Sequence, residues 1–113
     1  MISDVPDWLN EEPHRKRSIR QEKKLAKRYS GRVTANSGAS LGENDITTGR
    51  LSIEAKITEN KGYRINIPEF LKAASRAGNK MPIEIIEFSS YGESLVVLRE
   101  IDFFTLIGSL ENK

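Results

Sequence analysis

A segment in the middle of the chain constrains the fold most, because its apolar and polar residues alternate strictly. The apolar residues, which predict one face of a β-strand, are Leu51, Ile53, Ala55 and Ile57. The polar residues, which belong to the opposite face, are Ser52, Glu54, Lys56 and Thr58. Glu54 and Lys56 are therefore expected on the same face, about 7 Å apart by the rise of a strand. Asp45 precedes a turn at Gly49 and is expected beside Glu54 on a neighbouring strand.

Two carboxylates and an ammonium group on one sheet face predict a site for a divalent cation and a phosphate. Mg²⁺, or Mn²⁺ in its place, takes one or two carboxylates and keeps water on its other positions. Asp45 and Glu54 are the expected ligands, with the backbone carbonyl of Ala55 as a third. Lys56 is expected to orient a water molecule or to stabilise a phosphodiester transition state. Because Glu-x-Lys occurs four times in the chain, a surface ion pair between Glu54 and Lys56 is the alternative.

Basic residues are concentrated in a short region before this segment. They lie within about twenty residues, a density typical of a nucleic-acid-binding surface. They are His14, Arg15, Lys16, Arg17, Arg20, Lys23, Lys24, Lys27, Arg28 and Arg32. The whole chain carries a net charge of only +2, so the positive charge is local. A solvated helix face joined to a flexible arm is the alternative.

An apolar spacing of three and four residues predicts a helix from about Ser18 to Ser30, with Ser18 as its N-cap. Glu22 lies within the apolar stripe of that helix. A carboxylate on the core side of a helix needs a partner. Either it forms a salt bridge with a basic side chain such as Lys56, or it is a third acid of the site at Asp45 and Glu54.

The remaining patterns complete one domain at residues 17–113, preceded by a flexible N-terminal arm at 1–16. Further strands are expected at 32–35, 63–67, 83–88 and 95–98, the last of them buried on both faces. Further helices are expected at 68–77 and 102–110. The fold class is α/β (α+β), with a mixed central sheet flanked by helices. The order is a helix, a three-strand meander, a helix, two strands and a helix.

Composition excludes several classes of protein. The chain has no Cys, which excludes disulfides, thiolate zinc sites and a catalytic thiol. Its one His, His14, lies in the predicted arm, which argues against His-activated nucleophiles. No apolar run approaches about 18 residues, so no membrane partner is expected. The N-terminus lacks a signal-peptide core, and an intracellular, cytoplasmic location is expected.

Several motifs together resemble the PD-(D/E)XK nuclease superfamily, whose fold is restriction-endonuclease-like. They are 21–25 in the first helix, 36–40, 42–46, 53–56 and the later segment 70–82. Within the superfamily they are most similar to archaeal-type and phage Holliday junction resolvases. Asn44 replaces the proline of the superfamily motif. Asn36 stands where a basic residue is frequent.

The resemblance implies a homodimer that nicks opposed strands of a four-way DNA junction with Mg²⁺. It implies that Glu22 is the helix acid, Asp45 the metal aspartate, and Glu54 and Lys56 the Glu-x-Lys pair. It places Ser37 or Ser40 near the scissile phosphate. DNA contacts are expected from Arg15, Lys16, Arg17, Arg20, Lys23, Lys24, Lys27, Ser37 and Ser40. A phage-encoded protein acting inside a host cell fits this likeness.

Two alternatives remain open. One is a related repair or recombination nuclease that acts on flaps or duplex DNA. The other is a non-catalytic basic DNA-binding module whose acidic residues are only structural.

Overall fold

The computed structural model describes residues 12–34 and 44–111, with side chains from residue 16 onward. Three helices and five strands lie within these ranges. The helices are α1 (Glu12–Arg28), α2 (Ile67–Arg76) and α3 (Glu100–Glu111). The strands are β1 (Arg32–Val33), β2 (Ile46–Thr47), β3 (Leu51–Thr58), β4 (Met81–Phe88) and β5 (Glu93–Leu98).

The strands form one mixed sheet in the order β1-β2-β3-β4-β5. β1, β2 and β3 are an antiparallel meander, β3 and β4 are parallel, and β4 and β5 are antiparallel. The parallel pair needs a crossover, which α2 provides. The predicted α/β (α+β) class, the mixed sheet and the order of helices and strands are therefore confirmed.

The hydrophobic core lies between α1 and one face of the sheet. Leu25 and Ala26 of α1 pack against Ile53, Ile83 and Ile85. Ile53 is fully buried, as the alternation along β3 predicted. The core thus covers the apolar face of β3 and β4 and leaves the polar face to α2.

α2 lies over the opposite face of the sheet. The Nδ2 of Asn44 donates to the Ser52 hydroxyl at 2.8 Å and to the Ala73 carbonyl of α2 at 3.0 Å. Phe70 is the buried residue of α2. Glu54 and Lys56 therefore lie between the sheet and this second helix.

The end of α1 is held by a close contact with β2. Ser30 has a left-handed backbone (φ 56°), and the Gly31 amide donates to the Ala26 carbonyl at 2.8 Å. A Cβ on Gly31 would lie 2.5 Å from the Thr47 carbonyl oxygen. Glycine is required at position 31 because β2 approaches closely, whereas Ser30 provides the left-handed turn.

The turn between β2 and β3 forms as predicted, but glycine conformation does not explain it. Gly49 does not adopt a positive φ. The Thr48 hydroxyl instead accepts from the amides of Arg50 at 3.1 Å and Leu51 at 2.9 Å. The Thr48 amide donates to the Leu51 carbonyl at 3.0 Å. A threonine side chain therefore closes this turn.

The predicted start of α1 is wrong. The helix begins at Glu12, so Ser18 lies inside it and the first part of the predicted arm, 1–11, falls outside the described residues. Pro13 does not prevent this, because the first helical turn has no internal partner for its amides. Ile19 is largely exposed, and Gln21 instead occupies a buried position on the sheet side.

The predictions for 63–67 and 95–98 also need correction. Residues 62–66 are not a strand, and Asn66 caps α2 by accepting from the Glu69 amide at 3.0 Å. Tyr63, Arg64 and Asn66 of this segment line a cavity, and Ile67 begins α2. β5 is an edge strand whose residues are exposed or half-buried, because no described helix covers it. Among the described helices, none has the length and apolar character needed to cross a membrane.

Candidate functional site

The first two residues of the site come from the β2–β3 hairpin. Ile46 pairs with Ile53, so Asp45 and Glu54, one residue further along each strand, are neighbours. Asp45 is 9% exposed, and its Oδ2 accepts from the Ala55 amide at 2.9 Å. Ala55 lies two residues beyond the last β3 residue that β2 pairs. The Asp45 carboxylate therefore accepts the hydrogen bond that a longer β2 would accept from Ala55. This bond fixes the Asp45 side chain beside Glu54.

Burial and crowding disfavour the charged form of Glu54. Burial raises the pKa of Glu54 above its ordinary value of 4.5, and the charge of Asp45 raises it further. Lys56 and Arg76 lower the pKa in part. The Lys56 Nζ lies 3.6 Å from the Glu54 Oε2. A cation added here would relieve the repulsion between the two carboxylates.

α1 brings a third carboxylate to the hairpin. The Gln21 Nε2 donates to the Lys56 carbonyl at 2.6 Å, and Gln21 is only 4% exposed. This bond fixes α1 against β3 at the residue before Glu22. Burial raises the pKa of Glu22, and the charges of Asp45 and Glu54 add to the shift. Glu22 thus interacts electrostatically with the two hairpin acids.

Lys56 remains a cation in this environment. Burial lowers the pKa of Lys56, but the surrounding acidic groups, Glu54 first and then Tyr63, Glu84 and Asp45, raise it by more. The net result is a pKa above the ordinary 10.5. Lys56 can therefore balance negative charge and donate hydrogen bonds, but it is poorly suited to act as a base.

A cavity of about 250 Å³ opens beside Glu54 and Lys56, between the sheet and α2. Its walls carry four basic and three acidic side chains. The lining residues are Glu54, Lys56, Tyr63, Arg64, Asn66, Glu69, Lys72, Ala73, Arg76 and Glu84. The mixture of charges suits a phosphate held next to a cation.

Sequence reasoning missed the part of this cavity that comes from the crossover and from β4. Glu84 pairs with Glu54 across the parallel strands and is 9% exposed. Burial raises the pKa of Glu84, while Lys56 opposes the shift. The one acid inside the apolar run 82–86 was the available signal for Glu84. The spacing of Lys72 and Arg76, one helical turn apart, was the signal for the basic wall.

The predicted DNA-binding residues divide into three groups. Lys16, Arg20, Lys23, Lys24 and Lys27 are exposed on α1. Arg17 is half-buried and paired with Glu59. The Arg15 side chain, Ser37 and Ser40 lie outside the described residues. The exposed α1 lysines and Arg20 are named here the α1 basic stripe.

The donor set is suited to a hard cation. Asp45, Glu54 and the Ala55 carbonyl offer oxygen atoms, the donors that Mg²⁺ prefers. In the described part of the chain, no three acidic or imidazole side chains form a ready-made metal cluster. Mg²⁺ does not need one, because it is commonly held by one or two carboxylates and water. The residues present therefore fit the predicted ion.

Comparisons with family models, with curated proteins and with solved structures find no match for this chain.

Proposed function

We propose that this protein is a Mg²⁺-dependent DNA endonuclease that acts on branched DNA. One observation carries the proposal. Glu22 of α1, Asp45 before β2 and Glu54 of β3 interact electrostatically with one another, and the Lys56 ammonium lies 3.6 Å from Glu54. Acids held together at a cost in electrostatic energy are typical of a functional site.

The chemistry is hydrolysis of a phosphodiester. A bound Mg²⁺ would polarise the phosphate and lower the pKa of a coordinated water. Asp45, Glu54 and the Ala55 carbonyl would hold it. Lys56, which stays protonated, would stabilise the negative charge that develops on the phosphate oxygens. Glu22 would orient water on the α1 side of the site.

The basic groups around the site would bind the DNA backbone. Arg64, Lys72 and Arg76 line the cavity next to Glu54. The α1 basic stripe offers a second surface with exposed charge. Such contacts neutralise phosphates without reading sequence, which agrees with selection of DNA by shape.

A four-way junction is the proposed substrate, cut inside the cell on two opposed strands by a homodimer. The two-fold axis of a dimer matches the symmetry of two equivalent strands. A flap or duplex nuclease would use the same site, so the assay compares all three substrates.

The decisive experiment incubates the protein with a junction, a flap and a linear duplex, with Mg²⁺ or with EDTA. We expect junction nicking with Mg²⁺ only. Asp45→Asn should bind the junction within about 3-fold of wild type. Its nicking rate should fall at least about 100-fold, the usual cost of losing a charge-stabilising group. The Asn side chain retains an oxygen that accepts from the Ala55 amide.

Asp102→Asn is the matched control, because Asp102 pairs with Arg99 outside the site. It should nick at the wild-type rate. Absence of cutting on every substrate at every salt concentration would overturn the endonuclease proposal. Full activity of Asp45→Asn would show that the site is misassigned.

The exposed α1 basic stripe favours a second candidate, a non-catalytic DNA-binding module. Such a protein would bind DNA with an affinity that falls as salt rises. It would leave junction, flap and duplex intact at any Mg²⁺ concentration. The same assay therefore distinguishes the two functions.

A further inference from the structure

The C-terminal helix α3 exposes apolar side chains over more than half of its circumference. They are between 37% and 67% exposed, and the helix has no buried residue. They are Ile101, Phe103, Phe104, Leu106, Ile107 and Leu110. An exposed apolar face of this width is ordinarily covered by other protein or by lipid.

β5, which precedes α3, is equally uncovered. It is an edge strand of the described sheet and pairs with β4. Leu95 and Val96 point to opposite faces of the sheet, and both are about half exposed. An apolar edge strand of this kind is prone to pair with another chain. α3 together with Leu95 and Val96 is named here the C-terminal apolar surface.

A largely apolar groove adjoins this surface. It lies between the end of α1, the β2–β3 turn and α3, with a volume of about 560 Å³. Tyr29, Leu51, Met81 and Leu106 contribute to its walls. This volume falls within the roughly 300–1,000 Å³ of pockets that enclose small organic ligands. Aromatic side chains therefore fit in it.

We propose that a second copy of this chain covers the C-terminal apolar surface, forming a symmetric dimer. In this dimer α3 of each copy packs against the groove and β5 of the other. Among the described residues, neither α3 nor the surface that would receive it is covered, so a two-fold arrangement satisfies both at once. The proposal supplies an interface for the homodimer of the proposed function, but it is argued from this surface and does not depend on DNA cleavage.

The exposed area is sufficient for a stable dimer. Eight large apolar side chains, each roughly half exposed, present on the order of 800 Å². A standard protein interface takes about 800 Å² from each partner. Residues 103–110 carry no charge, which agrees with the scarcity of charged residues at interface centres.

Other occupants fit less well. Residues 1–11 offer five large apolar side chains, fewer than the eight of the C-terminal apolar surface; they are Met1, Ile2, Val5, Trp8 and Leu9. A lipid surface is disfavoured because α3 carries no Lys or Arg and has acidic residues at both ends. Helices that lie on membranes are typically rich in basic residues.

The test is analytical ultracentrifugation of the full chain without DNA or metal. We expect a mass of twice 12.8 kDa for the wild type. Phe104→Glu combined with Leu110→Glu should weaken association at least about 30-fold, the cost of one interface hot spot. Neither residue is buried, so circular dichroism should show a folded double variant. Leu71→Glu is the matched control, because Leu71 is 52% exposed on α2 and should stay dimeric.

A second measurement locates the contact. The chain has no Cys, so Ser109→Cys introduces the only thiol. A spin label there should report a short distance between two copies, within about 20 Å by the spacing of packed helices. A monomeric wild type would overturn the proposal. This holds whether residues 1–11 cover α3 in the monomer or the monomer binds neutral phospholipid vesicles through α3. A dimer that the double variant leaves intact, or that Leu71→Glu dissociates, would also overturn it.

Discussion

Individual carboxylates at the site lower the stability of the metal-free protein at neutral pH. The pKa values of Glu22, Glu54 and Glu84 are raised above 4.5, with burial as the first cause in each case. The folded state therefore binds these protons more tightly than the unfolded chain. Their contribution to stability is complete below pH 4.5 and is lost as pH rises through the raised pKa values.

Glu54→Gln should remove part of the stability loss that the wild type shows as pH rises. In EDTA we expect the variant and the wild type to melt at similar temperatures near pH 4. At pH 7 the variant should melt higher, by roughly 4 °C, the shift that about 1 kcal/mol gives in a small domain. Thermal unfolding across this pH range is the measurement. Glu111→Gln, an exposed acid at the end of α3, should show no such difference, and a lower melting temperature for Glu54→Gln at pH 7 would contradict the assignment.

At the scale of elements, two glycines that look alike in the sequence have different roles. Gly31 lies against the Thr47 carbonyl, whereas a Cβ on Gly49 would meet nothing within 4 Å. The packing of α1 on β2 therefore depends on Gly31. The β2–β3 turn depends on Thr48 and not on Gly49.

Gly31→Ala should destabilise the protein by about 1–3 kcal/mol, because an added methyl group in a tight contact forces the backbone apart. Gly49→Ala should change stability by less than about 0.5 kcal/mol, as exposed substitutions usually do. Urea unfolding monitored by circular dichroism gives both values. Equal costs for the two substitutions would show that the α1–β2 contact is not as close as described.

The hairpin and its acids could be predicted because their signals are local. Alternation from Leu51 to Thr58 gave a strand with defined faces, and the pairing of Asp45 with Glu54 required only one turn. Glu84 and Arg76 could not be placed in the same way. Local patterns mark both residues, but they do not show where the residues lie. The position of Glu84 depends on the register of a parallel pair, and that of Arg76 depends on how the crossover helix α2 packs on the sheet.

At two other segments, 95–98 and 63–67, a clear local pattern led to a wrong prediction. The run 95–98 has the composition of a buried strand, but burial is set by neighbouring elements, and no described helix lies over β5. The alternation at 63–67 is typical of a strand. The segment does not form a strand, because Asn66 caps α2 at this point in the crossover.

Across the whole molecule, positive charge lies on both sides of the sheet. The α1 basic stripe projects from the helix on one face, and Lys72 and Arg76 line the cavity under α2 on the other. Glu54 lies on the α2 side of the sheet, beside the cavity, whereas Glu22 belongs to α1, which packs on the other side. DNA binding and strand cutting should therefore depend on different basic residues.

Replacing Lys23 and Lys27 together by Ala should weaken junction binding and lower the slope of log affinity against log salt by about 2, one per lost phosphate contact. The nicking rate at saturating DNA should stay within about 3-fold. Fluorescence anisotropy at several salt concentrations, with single-turnover nicking, tests both. Lys23→Arg with Lys27→Arg should retain the wild-type slope. An unchanged slope of log affinity against log salt in the Ala variant would show that the α1 basic stripe does not contact DNA.

The parallel pairing of β3 with β4 has a consequence for the order in which the chain folds. The β2–β3 hairpin joins residues close in sequence, whereas β4 reaches β3 only after residues 59–80 have crossed over. Contacts distant in sequence close late, because the loop entropy must be overcome first. A nascent chain would therefore bring Asp45 and Glu54 together before the basic wall of the cavity exists. The phosphate binding proposed for the cavity would then be a late event of folding, available only to chains that have completed the sheet.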